Sequence, residues 1–111
     1  AGGIRQAVDK VRQKIGHTIK IEVEVVDMIG AVEAARAGAH IVMLDNMAPD
    51  MMRRCVEKLA GNVIVEASGG INLDTIGTVV KSGVDCISIG ALTHSAKALD
   101  LSFYIGGAEE E

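Results

Sequence analysis

The sequence predicts an α/β fold, a segment of a parallel βα barrel with about four βα units, part of a TIM-like α/β barrel. Three observations predict it. Short apolar runs alternate with helical patterns along the whole chain. The runs end at Glu24, Asp45, Ala67 and Gly90, a step of 21 to 23 residues that leaves room only for tightly connected βα units with right-handed crossovers. Hydrophobic residues make up 49% and aromatic residues 2%, so Ile, Val, Leu, Met and Ala must fill the space between helices and sheet. The even repeat favours a barrel segment over an open doubly wound sheet.

Each element has its own signal. Ile4, Ala7, Val8, Val11 and Ile15 recur at helical spacing, and Gly16 stops that helix. The first strand is read over residues 19–26: Ile19, Ile21, Val23 and Val25 face one way, Lys20, Glu22 and Glu24 the other. A helix follows from about Met28, with Asp27 as N-cap and Gly38 as stop. Ile41-Val42-Met43-Leu44 is continuously apolar, the pattern of a strand buried on both faces, and it ends at Asp45-Asn46. Pro49 opens a helix carrying Met52, Cys55, Val56 and Leu59, closed by Gly61. The third strand, 63–66, runs into Ser68-Gly69-Gly70. Its helix carries Leu73, Ile76, Val79 and Val80 and stops near Gly83. The fourth strand is 86–89, its loop 90–95, and a short helix is expected after it. Residues 1–105 are read as the barrel segment and 106–111 as a mobile tail with nothing to bury.

Composition excludes several classes of function. The net charge is −4 with no cluster of Lys or Arg, which argues against a nucleic-acid surface. No apolar run approaches the roughly 18 residues of a membrane span, and no signal peptide is visible. Cys55 and Cys86 lack zinc-like spacing and sit in apolar patterns. They read as buried thiols in a reducing, cytoplasmic setting. The chain opens Ala1-Gly2-Gly3 directly into a helix without an initiator Met, and reads as a piece of something longer.

The candidate chemistry lies at the C-terminal ends of the strands, the working face of a barrel. Strand, Gly-rich turn and helix start at 63–72 is a geometry that binds phosphate: the glycines let an anion approach, and free N–H groups point at it. A bare tight turn is the alternative. Cys86-Ile87-Ser88-Ile89-Gly90-Ala91 offers a second such strand end. Glu24 is the last acid on its strand; it is either at the barrel mouth or on a solvent-facing edge. Asp45 is either a helix-capping acid or a ligand for Mg²⁺ or a sugar hydroxyl. Two carboxylates beside two phosphate turns point to a phosphosugar held by its phosphate, with hydroxyls or a metal held by the acids. Glu66, one turn below the mouth, is either paired with a cation such as Lys20 or supports the first acids from behind. His94 either contacts the phosphate or caps a helix. His17 and His40 read as surface residues.

Four segments then resemble the C-terminal part of the quinolinate phosphoribosyltransferase family (nicotinate-nucleotide pyrophosphorylase, carboxylating). They are Lys20-Ile21-Glu22-Val23-Glu24-Val25, Met43-Leu44-Asp45-Asn46-Met47, Glu66-Ala67-Ser68-Gly69-Gly70-Ile71-Asn72 and Ser88-Ile89-Gly90-Ala91-Leu92-Thr93-His94-Ser95. They cover nearly the whole chain in the family's order and spacing. The molybdenum-associated ModD proteins are similar in the barrel, but the last segment looks like the quinolinate enzyme. The resemblance implies transfer of phosphoribosyl from phosphoribosyl pyrophosphate to quinolinate with Mg²⁺, giving nicotinate mononucleotide, pyrophosphate and CO₂. It implies that Glu24 and Asp45 hold the ribose hydroxyls and the metal. It implies that Ser68, Gly69 and Gly70, with Ile89, Gly90 and Ala91, hold the 5′-phosphate. Lys20, Glu22, Asn46, Glu66 and His94 are expected to support these residues from behind. The family also has an N-terminal α/β domain and earlier barrel strands, whose Arg, Lys and His residues bind quinolinate and pyrophosphate. The expectation is therefore a ribose-phosphate half-site, inactive alone, that forms a homo-oligomer or associates with the missing N-terminal part. The reading from a different class is a non-catalytic half-barrel assembly module.

Overall fold

In the computed structural model the described residues are 3–16, 18–92 and 98–104. The elements run α1 (Gly3–Lys14), β1 (Glu22–Val25), α2 (Met28–Arg36), β2 (Ile41–Asp45), α3 (Pro49–Leu59), β3 (Ile64–Ser68), α4 (Ile76–Lys81), β4 (Cys86–Leu92) and β5 (Ala98–Tyr104). The sheet order is β1-β2-β3-β4-β5. The first four strands are parallel neighbours in chain order, as in a barrel segment.

Local chemistry sets the boundaries. The Asp27 carboxylate accepts from Gly30 N at 2.7 Å and caps α2. Pro49 sits in the first turn of α3, where its missing N–H costs nothing. At Asn72 the side chain accepts from the N–H groups of Asp74 and Thr75 at 2.8 and 3.1 Å. These bonds satisfy N–H groups ahead of α4 as an N-cap does, and the Ile76 N–H donates to the Asn72 carbonyl at 2.9 Å; the regular helix runs from Ile76. Leu73, expected on the helix's buried face, is 86% exposed.

The core lies between one face of the sheet and the helices. Val25, Val42, Leu44, Val65, Ala67 and Ile87 meet Ala31, Ala34, Met52, Cys55, Leu59 and Val79 there. The Cys55 thiol donates to Met47 Sδ at 3.9 Å. Burial first, then the charge of Asp27, pushes its pKa up, so it stays protonated. Cys86 is buried as well.

Three expectations change. β2 is not buried on both faces: Val42 and Leu44 are fully covered, while Ile41 and Met43 are half-buried. Helices cover one side of the sheet, and the other side is the one that bears the acids. β1 begins at Glu22, not residue 19, because the segment before it is held differently. Ile21 N donates to the His40 ring at Nδ1 (2.9 Å), and the N–H groups of His40 and Ile41 donate to the Ile21 carbonyl. His40 is thus half-buried and structural, not a surface residue. His17 lies outside the described residues.

The third change is at the C-terminal end. The expected loop 90–95 begins as strand, and β5 stands in place of the short helix expected after it. Gly90 and Ala91 continue β4 and pair with Asp100 and Leu99 of β5, which runs antiparallel. The missed signal is the period-two pattern of Leu99, Leu101 and Phe103 against Asp100 and Ser102. The sheet's edges are therefore β1 and β5. No helix of the described residues is long and apolar enough to cross a membrane.

Candidate functional site

Asp45 is the last residue of β2 and pairs in register with Ser68, the last residue of β3. Asn46 then adopts a left-handed backbone, φ 58°, and its N–H donates to the Ser68 carbonyl at 2.7 Å. The two strand ends are thereby laced one residue beyond the sheet. Gly69 and Gly70 also have positive φ, 81° and 68°. A Cβ on Gly69 would lie 2.7 Å from Asp45 Oδ1 and 2.9 Å from Asn46 N; one on Gly70 would lie 3.0 Å from Asn46 Oδ1. The turn therefore needs glycine for space as well as for conformation. A cavity of about 230 Å³ opens beside it, bounded by Asn46, Gly69, Gly70, Thr75 and Thr78 among others.

Asp45 does not cap α3. The N-cap is Ala48, with no side-chain cap bond, and the side chain of the half-buried Asp45 makes no hydrogen bond within the described residues. Glu24 is exposed on the same sheet face, beside Met43. Asp45 is two residues further along the neighbouring strand. Strand spacing and rise put their Cα atoms about 8 Å apart, close enough for both carboxylates to reach one ligand.

Below this pair is a second acidic group. Glu66 is 7% exposed and accepts from the Ser88 hydroxyl on β4. Its other neighbour is the Glu22 carboxyl. The pairing with Lys20 considered from the sequence is not made: Lys20 is exposed and precedes β1. Ser88 was the missed partner; the β3–β4 register pairs Glu66 with Cys86 and brings Ser88 to the same face.

Burial against the sheet raises the Glu22 carboxyl above its ordinary 4.5, helped by the charge of Glu66, a hydrogen bond with it, and the charge of Glu24. The folded chain holds the Glu22 proton more tightly than the unfolded chain. The stability that this gives is full below the ordinary value and is lost as pH rises through the raised one. Glu22→Gln, which mimics the protonated form, is therefore expected to be more stable than the parent at neutral pH. Urea unfolding of both between about pH 4.5 and about pH 7 should show the difference growing with pH. A difference that stays constant would assign the pH dependence elsewhere.

The second phosphate segment is not a separate turn, since Gly90 and Ala91 lie within β4. The β3–β4 register pairs Glu66 with Cys86 and Ala67 with Ile87, so β4 is the neighbour of the strand that runs into the first turn. His94 lies outside the described residues.

No group of three or more His, Cys, Asp or Glu able to hold a metal occurs among the described residues. Asp45 and Glu24 nonetheless fit Mg²⁺, which takes one or two carboxylates and fills its other positions with water and substrate oxygens.

A parallel βα layer with its acids and glycine turn at the C-terminal strand ends defines a domain of the α/β-barrel class. The particular family follows from comparison with known proteins. The family described as "Quinolinate phosphoribosyl transferase, C-terminal domain" matches residues 1–104, and the chain belongs to it. The chain is 49% identical to a probable nicotinate-nucleotide pyrophosphorylase [carboxylating] of Methanothermobacter thermautotrophicus, over 96% of this chain and 40% of that protein. It is 42% identical to the human nicotinate-nucleotide pyrophosphorylase [carboxylating], over 98% of this chain and 38% of that one. The crystal structure of a NadC deletion mutant matches with a TM-score of 0.77 at 36% identity, over 92% of this chain and 38% of that chain. The nicotinate-nucleotide pyrophosphorylase from Francisella tularensis matches with a TM-score of 0.75 at 37% identity, over 90% of this chain and 36% of that chain. The chain spans about two fifths of the length of the relatives it matches.

Proposed function

We propose that this chain is the ribose-phosphate half of a quinolinate phosphoribosyltransferase of NAD biosynthesis. The complete protein transfers phosphoribosyl from phosphoribosyl pyrophosphate to quinolinate and yields nicotinate mononucleotide, pyrophosphate and CO₂. The observation that carries the reading is the lacing of the Asp45-Asn46 strand end to the Ser68-Gly69-Gly70 turn. It sets a carboxylate whose side chain has no hydrogen-bond partner among the described residues directly beside a turn built for close approach.

In this reading the amides of Gly69 and Gly70 and the Ser68 hydroxyl grip the 5′-phosphate, with the β4 backbone at Ile89, Gly90 and Ala91 alongside. Asp45 and Glu24 accept from the ribose hydroxyls and hold Mg²⁺. When bound, Mg²⁺ neutralises charge on the pyrophosphate. The two carboxylates stabilise positive charge that develops at the ribose carbon as the glycosidic bond breaks. The phosphate grip fixes the sugar against them. Glu66, held by Ser88, and Glu22 support the acids from one pleat below. The setting is cytoplasmic. The acid-bearing sheet face and the β1 edge are covered either by a second copy or by the N-terminal part that the relatives possess.

The test is a pair of measurements on this chain. Ribose 5-phosphate, titrated against labelled chain, is expected to shift the amides of Gly69 and Gly70. Given both substrates, the chain alone is expected to form no nicotinate mononucleotide, because the cationic quinolinate site belongs to the N-terminal part. Shifts confined to other loops would sink the phosphate site, and turnover by the chain alone would overturn the division of labour. A stable oligomer that binds no phosphosugar would favour a purely structural half-barrel.

A further inference from the structure

The outer surface of α2 and α3 carries a cleft that the strand-end site does not use. Two cavities, of about 590 and about 220 Å³, open along it and share Val32, Arg36 and Lys58. Ala35 lines the smaller one. Three of the residues around the cleft are cations, Arg5, Arg36 and Lys58, and one, Glu33, is an acid. The local balance is therefore +2, on a chain whose net charge is −4. All three cations are exposed, and their side chains make no ion pair or hydrogen bond within the described residues. Small apolar side chains between unpaired cations fit a slender acidic segment.

The chain contains one. Residues 105–111, Ile105-Gly106-Gly107-Ala108-Glu109-Glu110-Glu111, are expected from the sequence to be a tail with nothing to bury, and they lie outside the described residues. Glu109-Glu110-Glu111 is the longest run of like charge in the sequence. Position favours the same pairing. α2 and α3 lead into β2 and β3, so Arg36 and Lys58, in their last turns, lie at the end of the sheet where the parallel strands begin. Tyr104, the last residue of β5, pairs with Cys86, the first residue of β4, at that same end. From β5 to β2 is three strand spacings, about 14 Å. Residues 105–111 fully extended reach about 23 Å, which leaves room for the step from the sheet to the helix layer.

We propose that Glu109-Glu110-Glu111 docks in the cleft between α2 and α3, with its carboxylates on Arg36 and Lys58 and its backbone over Val32 and Ala35. The segment then straps the end of the edge strand β5 to the helix layer.

Methyl spectra of the parent chain at low and at high salt, and of two variants, test this. One variant ends at Tyr104. The other keeps its full length and carries Glu109→Gln, Glu110→Gln and Glu111→Gln. The Val32 and Ala35 methyl resonances are expected to shift in both variants, and to shift the same way in the parent as salt screens the contact. The glutamine variant removes only the charges, so any loosening of β5 on truncation does not decide the result. Unmoved Val32 and Ala35 resonances in the glutamine variant overturn the proposal and leave the cleft to another partner. Shifts confined to Val80, beside Lys81 of α4, would put the segment elsewhere and overturn it too. A charge exchange gives a second reading. Arg36→Glu with Lys58→Glu should release the segment. Adding Glu109→Lys, Glu110→Lys and Glu111→Lys should bring the Val32 and Ala35 resonances back toward the parent positions, and no such return would refute the docking.

Discussion

Gly69→Val is expected to abolish phosphosugar binding and to destabilise the chain by several kcal/mol. Two independent terms act at this position. The backbone φ of 81° is disfavoured for any side chain and most for a β-branched one, about 1–3 kcal/mol by itself. The new Cβ would also sit 2.7 Å from Asp45 Oδ1 and 2.9 Å from Asn46 N. One of these is backbone, so the strand end must move, at a further cost of about 1–3 kcal/mol. Either way the amides that would meet the phosphate lose their place. Gly61 supplies the control: its φ is 79°, yet nothing lies within 4 Å of a Cβ there. Gly61→Ala should show the backbone term alone, and Gly69→Ala both terms. Urea unfolding and ribose 5-phosphate titration read these effects. Equal stability losses in the two alanine variants would remove the crowding argument, and parental affinity in Gly69→Val would remove the site.

Asp45→Ala, placed in a full-length protein that carries this domain, is expected to lower turnover by tenfold or more while leaving the fold intact. Tenfold corresponds to about 1.4 kcal/mol of lost transition-state stabilisation. The fold should tolerate the change for specific reasons. The Asp45 side chain caps no helix, makes no hydrogen bond within the described residues and is only half-buried. Glu24→Ala is expected to act in the same direction, since Glu24 shares the face and is exposed. Initial rates with both substrates, alongside a thermal melt, separate the two effects. Turnover at the parental rate would dissociate Asp45 from the chemistry. A large fall in melting temperature would reassign it to the fold.

The acids were legible in sequence because strand periodicity alone assigns a face. Lys20, Glu22 and Glu24 alternate with Ile21, Val23 and Val25, so an acid face opposite an apolar one follows from pleating. Asp45 stood out as the polar end of an apolar run. The environment of Glu66 was not legible, because its partner Ser88 lies 22 residues away and meets it only through the β3–β4 register. His40 was misread for the same reason: the N–H that its ring accepts from belongs to Ile21, 19 residues earlier.

By itself, then, the sequence determined the alternation of strands and helices, the faces of each strand and the glycine turn, since these depend on period, caps and breakers within a few residues. Only the tertiary structure decided three things: that β4 continues past Gly90 to pair with β5, that Glu66 is held by Ser88, and that the Asn46 N–H ties the Asp45 strand end to the Ser68 carbonyl at the glycine turn. Each is a contact between residues distant in the chain. Such contacts are fixed by sheet register and close packing, which local propensity does not specify.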